Sequence, residues 1–222
     1  MKAISSNRNT PQFAKAAAST YLRAMRPFEY CKPTLAKAVP AGPDWIHEVK
    51  YDGYRGRVVR DGRTVKIMSK SGLDWTWRFP WIAETALKMK QQRFVIDGEI
   101  CVLDLQGISD FNALHSNKRN DEAQLYAFDL VAIEGDDLRE LPLFDRKARL
   151  GKLLARRPEG IFIAPFERGE IGPGLFEAAC RMGLEGLVSK HRERRYRPRT
   201  RDWVKVKNRK NPAFARVMDS FA

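Results

Sequence analysis

A lysine side chain can act as a nucleophile only after its ammonium loses a proton, and its reference pKa is ~10.4. In the stretch "HEVKYDGYR", residues 47–55, Lys50 stands between Glu48 and Asp52, in what reads as a strand entering a turn at Gly53. Strand alternation puts Glu48, Lys50 and Asp52 on one face and His47, Val49 and Tyr51 on the other. Both carboxylates favour the charged amine, so a reactive Lys50 requires cations to offset them. The sequence offers Lys190, Lys205 and Lys207; the last two are spaced i, i+2 in "DWVKVK" and face one side of their strand. A bound dication would depress the amine further. The same stretch also describes an ordinary ion-pair ladder on a surface strand, and K-x-D-G alone does not choose.

Two further acids fit a metal site. Glu99 lies in "IDGEI", read as a strand after an Asp-Gly turn, and Glu185 lies in "GLEGLV", beside a glycine at the head of a strand. Magnesium takes one or two carboxylates together with substrate phosphates and water. Taken singly, each acid also fits a solvated strand end. In "LYAFDL", Phe128 alternates with Tyr126 and Leu130. That pattern suits a core aromatic, and equally a flat platform for a purine base.

The elements that must position these groups are short and strand-rich. "WIHEVK" and "YRGRVVR" precede an Asp61-Gly62 turn and "TVKIMS", which together read as a hairpin. "ETALKMKQQ", "DRKARLGKLLARR" and "GLFEAACRMG" have helical spacing, the last closing at Gly183. "FVIDGEICVLD" reads as a strand pair or bulged strand turning at Gln106-Gly107; "QLYAFDLVAIE", "IFIAPF", "EGLVSK" and "DWVKVK" read as strands. Hairpins with interspersed helices predict an α+β fold rather than a regular βαβ winding.

The chain of 222 residues is long enough for a sizeable core, and no apolar run approaches the ~18 residues of a membrane span. Three widely spaced cysteines without a C-x-x-C pair point to a reducing, cytoplasmic setting. The net charge of +14 is carried entirely by two segments, residues 1–28 and 189–210, so the body is neutral on balance. A neutral body with basic strips predicts a polyanionic partner, nucleic acid first. Residues 1–28 read as a basic, flexible arm. The fifteen residues after Lys207 are too few for another domain, which usually needs at least ~50 residues.

Read in order, these pieces resemble the nucleotidyltransferase (adenylation) domain of ATP-dependent DNA ligases, in particular the ligase module of bacterial end-joining ligases. "HEVKYDGYR" matches the K-x-D-G signature with its following arginine, and "MSKSG" sits where that family carries S-R-x-G. "FVIDGEICVLD" matches the D-G-E motif, and "LYAFDLVAIEGDDLRELPLFDRKARL" the extended motif with F-D-L and P-L-x-x-R. "EGLVSK" matches E-G-x-x-x-K and "DWVKVK" the closing W-x-K-x-K, so the likeness covers residues 29–208.

The resemblance implies a ligase-type fold of mainly antiparallel sheets flanked by helices, with a nucleotide pocket between them. It implies Lys50 as the nucleophile that attacks the α-phosphate of ATP, and Asp52 orienting the amine or a metal-bound water. Arg55 would contact the ribose and the nick terminus, Glu99 the ribose or Mg2+, Glu185 Mg2+, and Phe128 the adenine face. Lys205 and Lys207 would grip the α-phosphate. Glu48 lies where the family reads the adenine edge, and Lys190 is a further phosphate contact.

The implied activity is a minimal DNA ligase acting on double-stranded DNA with a nick or break, in a bacterial cytoplasm at the nucleoid. A helper domain or repair protein in trans is a further implied partner. RNA ligases and capping guanylyltransferases use the same lysine chemistry, and an idle DNA-binding homologue is the reading from another class. Departures are Lys70 in place of the usual arginine, which loses bidentate phosphate contact, and a missing glycine in "YRPRTRDW", which leaves Arg199 or Arg201 as the DNA-phosphate candidate. The OB-type domain that usually follows is expected to be absent, residues 209–222 being only a short tail. Trp75 and Trp77 are extra tryptophans whose expected role is packing.

Overall fold

Residues 28–156 and 159–214 are described by the computed structural model, and in them the hairpin signals of the sequence become two packed β-sheets. The basic arm as far as residue 27 and the last residues of the tail lie outside the described residues. In chain order the elements begin β1 (Thr34–Leu35), β2 (Trp45–Val49), β3 (Tyr54–Asp61), β4 (Thr64–Ser69), α1 (Pro80–Lys88), β5 (Arg93–Cys101) and α2 (Phe111–His115). They continue β6 (Gln124–Ile133), β7 (Asp136–Asp137), α3 (Leu143–Leu153), β8 (Ile161–Ile163), β9 (Phe166–Arg168), α4 (Gly172–Arg181), β10 (Gly186–His191) and β11 (Trp203–Lys207). One sheet has the order β1-β11-β10-β2-β9; the other has β4-β3-β5-β6-β7, with β8 added alongside β6. Pairing is antiparallel except for β1 with β11 and β6 with β8. This is the α+β arrangement expected from the sequence. Among the described residues no helix is long and apolar enough to cross a membrane.

Alternation along β3 and β5 sorts their residues between two cores. Val58, Ile96, Ile100, Leu125 and Leu130 pack with Ile82, Ala86 and Leu150 beneath the helices. Val95, Val131 and Ala132 instead meet Ile46 and Trp203 of the opposite sheet, with Val59 and Phe128 against them. The strand positions in step with this second face carry Arg55, Asp97 and Glu99, so polar groups emerge where the sheets part. Register shifts between Val95 and Ile96 and between Asp97 and Gly98 bulge β5 there. Gly53 lets β3 begin against β5, because a Cβ at that position would lie 2.2 Å from the Ile100 carbonyl oxygen.

Several local expectations are corrected. Asp97-Gly98 is not a turn before a strand; both residues lie inside β5, and the bulge replaces the turn. The helix expected over "ETALKMKQQ" runs instead from Pro80 to Lys88, because proline is pre-organised at its first turn. It stops there because Met89 is extended, and Arg60 Nη1 donates to the carbonyls of Ala86, Met89 and Gln91. "IFIAPF" is not one strand. It divides at Ala164-Pro165, where Ala164 N–H still bonds Ala127 but Pro165 has no donor, and the chain crosses to the other sheet as β9. Helix α2 was not expected; Asp110 caps it by accepting from Ala113 N–H.

Helix α3 is fastened to β6 by a buried pair. Arg146 Nε and Nη2 each donate to Asp129 at 2.8 Å, and Nη1 donates to the Leu141 carbonyl at 2.6 Å. Arg146→Ala should therefore destabilise the fold by ~3–5 kcal/mol in urea unfolding, because Asp129 is left buried and unpaired. Arg146→Met with Asp129→Leu should recover most of that loss. A single-variant loss below ~1 kcal/mol would remove this pair as the fastening.

Candidate active site

The nucleophile candidate sits just past the end of β2, where Lys50 N–H still bonds the Gly186 carbonyl at 2.9 Å. Its Nζ is 2.5 Å from Glu185 Oε2, and the other oxygen of Glu185 meets Lys207 Nζ at 3.2 Å. Register explains the meeting: β10 lies between β2 and β11, with Leu187 opposite Val49 and Gly186 opposite Lys207. Gly186 has φ +140°, and a Cβ there would lie 2.1 Å from the Val206 carbonyl oxygen. A side chain at 186 would therefore push Glu185 away from both lysines.

Lys50, Glu99 and Lys205 line one cleft of about 780 Å³ between the sheets. Burial pulls the Lys50 amine down, but Glu185, Glu99 and Asp52 outweigh it and hold the group above its ordinary value. The cation shell expected from the sequence is nonetheless present. Lys205 is lowered by burial and then by the charges of Lys50, Lys207 and Lys70. Lys50 is thus held as an ammonium, with Glu185 standing between it and Lys207. Asp52 lies on the far side, where it lines a smaller recess of about 140 Å³ with Lys50, Glu185 and Ser109, and its N–H donates to Ser109 Oγ.

Glu99 stands opposite Arg55 across β3 and β5 and is half-buried. Burial pushes its carboxyl up to about 7 against the lowering effect of Lys50 and Arg55. Among the described residues no group of three or more His, Cys, Asp or Glu side chains is close enough to hold a metal unaided. The donor set nevertheless fits a dication. Burial keeps Glu99 raised in spite of Lys50 and Arg55, and Glu185 is shared by ammonium groups that a dication could replace. Magnesium completes such a set with phosphate oxygens and water.

The other end of the cleft is aromatic. Phe128 is half-buried, with Trp203 edge-on to it at 6.0 Å and Lys190 Nζ 4.0 Å from its ring centre. Lys190 is buried and pairs with Glu48 Oε2 at 2.5 Å, so its charge belongs to this end rather than to the Lys205–Lys207 cluster. Burial lowers its ammonium to about 8 in spite of Glu48. Arg55 lines the cleft but is fully engaged: Nε and Nη2 donate to Asp97 at 2.9 and 2.6 Å, and Nη1 to the Cys31 carbonyl at 2.6 Å.

Lys70 is exposed on the cleft rim beside Trp75, which packs on Tyr54 and Phe79. Arg199 and Arg201 do not reach the cleft. Arg199 is 83% exposed and pairs with Glu29 at 3.0 Å, a surface pair that competes weakly with a phosphate. Trp77 is 78% exposed and does not pack as expected. Sequence reasoning missed Lys32, Pro33 and Ala164 on the cleft wall and Lys147 behind Glu48. It also missed Asp97, which holds Arg55 and had a signal as the first residue of the D-G-E motif.

Glu99 has a measurable consequence. Between its ordinary 4.5 and about 7 the folded chain keeps a proton there that the unfolded chain has released. The stability this contributes is full below the unfolded value and is lost as pH rises through the folded one. Glu99→Gln should therefore gain stability relative to wild type as pH rises from ~4 to ~8, by up to about 3 kcal/mol in urea melts. A difference that stays flat with pH would show that Glu99 titrates normally.

Comparison with known proteins shows the family. The family profile described as ATP dependent DNA ligase domain matches residues 14–207. The multifunctional non-homologous end joining protein LigD of Pseudomonas aeruginosa is 37% identical over 186 residues, 81% of this chain and 22% of that protein. DNA ligase C2 of Mycolicibacterium smegmatis is 31% identical, covering 80% of this chain and 54% of its own length. The ligase domain of M. tuberculosis LigD superimposes with a TM-score of 0.70 at 30% identity, over 81% of this chain and 60% of that one. The chain thus spans about a fifth of the first relative and about half of the second. Its two sheets with few helices match the ligase-domain structures, and it belongs to the family of ATP-dependent DNA ligase domains, of the kind found in LigD-type end-joining ligases.

Proposed function

We propose that this chain carries out the nucleotidyl-transfer chemistry of DNA strand joining, with Lys50 as the residue that becomes adenylated. The observation that carries the reading is the sharing of Glu185 between Lys50 and Lys207, where Lys50 also lines the cleft that holds Lys205 and Phe128. ATP would enter with its purine on Phe128 and its phosphates toward Lys205 and Lys207. Glu99 and Glu185 are the carboxylates fit to hold Mg2+, which when bound neutralises phosphate charge. Once Glu185 turns away from Lys50, the largest charge holding the ammonium is removed, Lys205 and Lys207 favour the neutral amine against Glu99 and Asp52, and the proton passes to solvent.

The Nζ lone pair then forms a bond to the α-phosphorus as the bond to the bridging oxygen breaks, pyrophosphate leaves with that electron pair, and the nitrogen loses a proton to solvent to give the phosphoramidate. Lys205 and Lys207 stabilise the charge that develops on the phosphoryl oxygens. Asp52, beneath the nucleophile, orients the amine, and Arg55, locked by Asp97, shapes the ribose side. The AMP passes to a DNA 5′-phosphate, and the 3′-hydroxyl of the adjoining strand displaces it. Lys70 on the rim and the exposed Arg199 and Arg201 are the proposed DNA-phosphate contacts. The proposed partners are double-stranded DNA with a nick or break and, because the relatives are multifunctional end-joining proteins, a repair protein in trans.

Incubation with magnesium and α-labelled ATP should leave label on the protein. The bond should survive alkali and be lost in acid, as a phosphorus–nitrogen bond is. Lys50→Ala should abolish labelling, and Lys207→Ala should reduce its rate by about a hundredfold or more. Equal labelling of wild type and Lys50→Ala would move the nucleophile elsewhere.

A further inference from the structure

Trp77 is 78% exposed, although its neighbours in the chain are all engaged. It lies in the 3-10 turn Thr76–Arg78, shortly after β4. Trp75 N–H bonds the Ile67 carbonyl at 2.8 Å, and its ring packs on Tyr54 and Phe79. Thr76 Oγ1 accepts from Ile67 N–H at 3.0 Å and donates to Asp74. Arg78 lies across the rings of Tyr54, Trp75 and Phe79, and its Nη2 donates to the Leu114 carbonyl at 2.9 Å. Residues i and i+3 share a face of such a turn, so Trp75 and Arg78 take the inner one while Thr76 faces β4. The remaining direction is outward, and Trp77 takes it.

The same stretch carries Lys70. Ser69 N–H bonds the Leu73 carbonyl and Leu73 N–H bonds Ser69 Oγ, which closes a tight loop over Lys70 and leaves Leu73 60% exposed. Lys70 and Trp75 line the cleft. Trp77 and Leu73 therefore continue the cleft rim outward from the cation proposed for a DNA phosphate. Large apolar side chains held in water next to a binding cleft mark a contact surface. Stacking on an indole needs the open face of a base. Inside a duplex each face is covered by its neighbour, and uncovering it is costly. At a broken end or along a single-stranded overhang the face is free, and an aromatic ring stacks on any base.

We propose that Trp77 is a stacking platform for an unpaired or terminal base of broken DNA, beside the phosphate contact of Lys70. The inference rests on the DNA-joining reading above and favours, as its substrate, a break with a free base over a nick.

The test is binding, without ATP, of a short duplex with a single-stranded overhang and of a nicked minicircle, which has no ends. Trp77→Leu keeps an apolar side chain without a ring. It should weaken overhang binding by about tenfold and minicircle binding by less than about twofold, and Trp77→Phe should stay within about threefold of wild type on both. The salt dependence of Trp77→Leu should match wild type, whereas Lys70→Ala should lower the slope by about one. A 2-aminopurine placed as an unpaired overhang base should be quenched by wild type and not by Trp77→Leu. Trp77→Leu should keep the wild-type urea midpoint, because its ring faces outward; a lowered midpoint would make Trp77 a packing residue and overturn the inference. Equal weakening on both DNAs would make Trp77 a groove contact, and unchanged binding to both would leave the surface to a protein partner; either result overturns it. If wild type binds neither DNA, the DNA-joining reading falls and the inference falls with it.

Discussion

The carboxylate of Glu185 bridges two ammonium groups, and the rest of the site is arranged around that bridge. Lys50, Glu185 and Lys207 stand at the ends of three neighbouring strands of one sheet, within one residue of them, so β-register sets their meeting. The other sheet supplies what faces them, Glu99, Arg55 and Phe128, on the positions of β3, β5 and β6 turned toward the gap. Lys50, the proposed nucleophile, is thus a paired ammonium beside a cleft lined by further cations. Its chemistry depends on Glu185 finding another partner when phosphates arrive.

Holding the two sheets apart at the cleft and together beyond it requires buried polar joints. Arg55, Asp97 and Tyr196 form one: Tyr196 donates to Asp97 at 2.8 Å and accepts from Cys31 N–H, which ties the segment before β1 to both sheets. Arg57 reinforces it, its guanidinium lying 3.7 Å from the Phe28 ring centre and 3.9 Å from that of Tyr30. This strap brings Lys32 and Pro33 to the cleft wall. Arg55 is consequently a rigid part of the wall, and a ligand meets a surface already organised by Asp97.

Much of this was legible in the sequence because the chemistry is written in short, ordered motifs on alternating strands. Lys50, Glu99, Glu185, Lys205 and Lys207 were all singled out, and the fold gathers them. What the sequence could not supply was partner choice. Glu48 and Asp52 flank Lys50 and by sequence are the acids that oppose it, yet the acid in contact is Glu185, 135 residues away. Glu48 is drawn to Lys147 and Lys190 instead, and Lys147 was invisible because its position in α3 reads as one charge among several on a helix. The Asp-Gly of β5 was read as a turn because bulges and turns share that composition, and only pairing on both sides distinguishes them. Pro165 could have signalled the split of "IFIAPF", and Asp110 the start of α2.

The resting state of Lys50 is the central claim, and its amine can be observed directly. With the lysines carrying a carbon-13 methyl label, the Lys50 resonance can be titrated in the ligand-free chain, in Glu185→Gln, and with magnesium and a non-hydrolysable ATP analogue bound. The account predicts a Lys50 pKa above that of a free lysine side chain in the ligand-free chain, and a fall both in Glu185→Gln and on binding. A Lys50 pKa already below that of free lysine without ligand, and unmoved by Glu185→Gln, would contradict it.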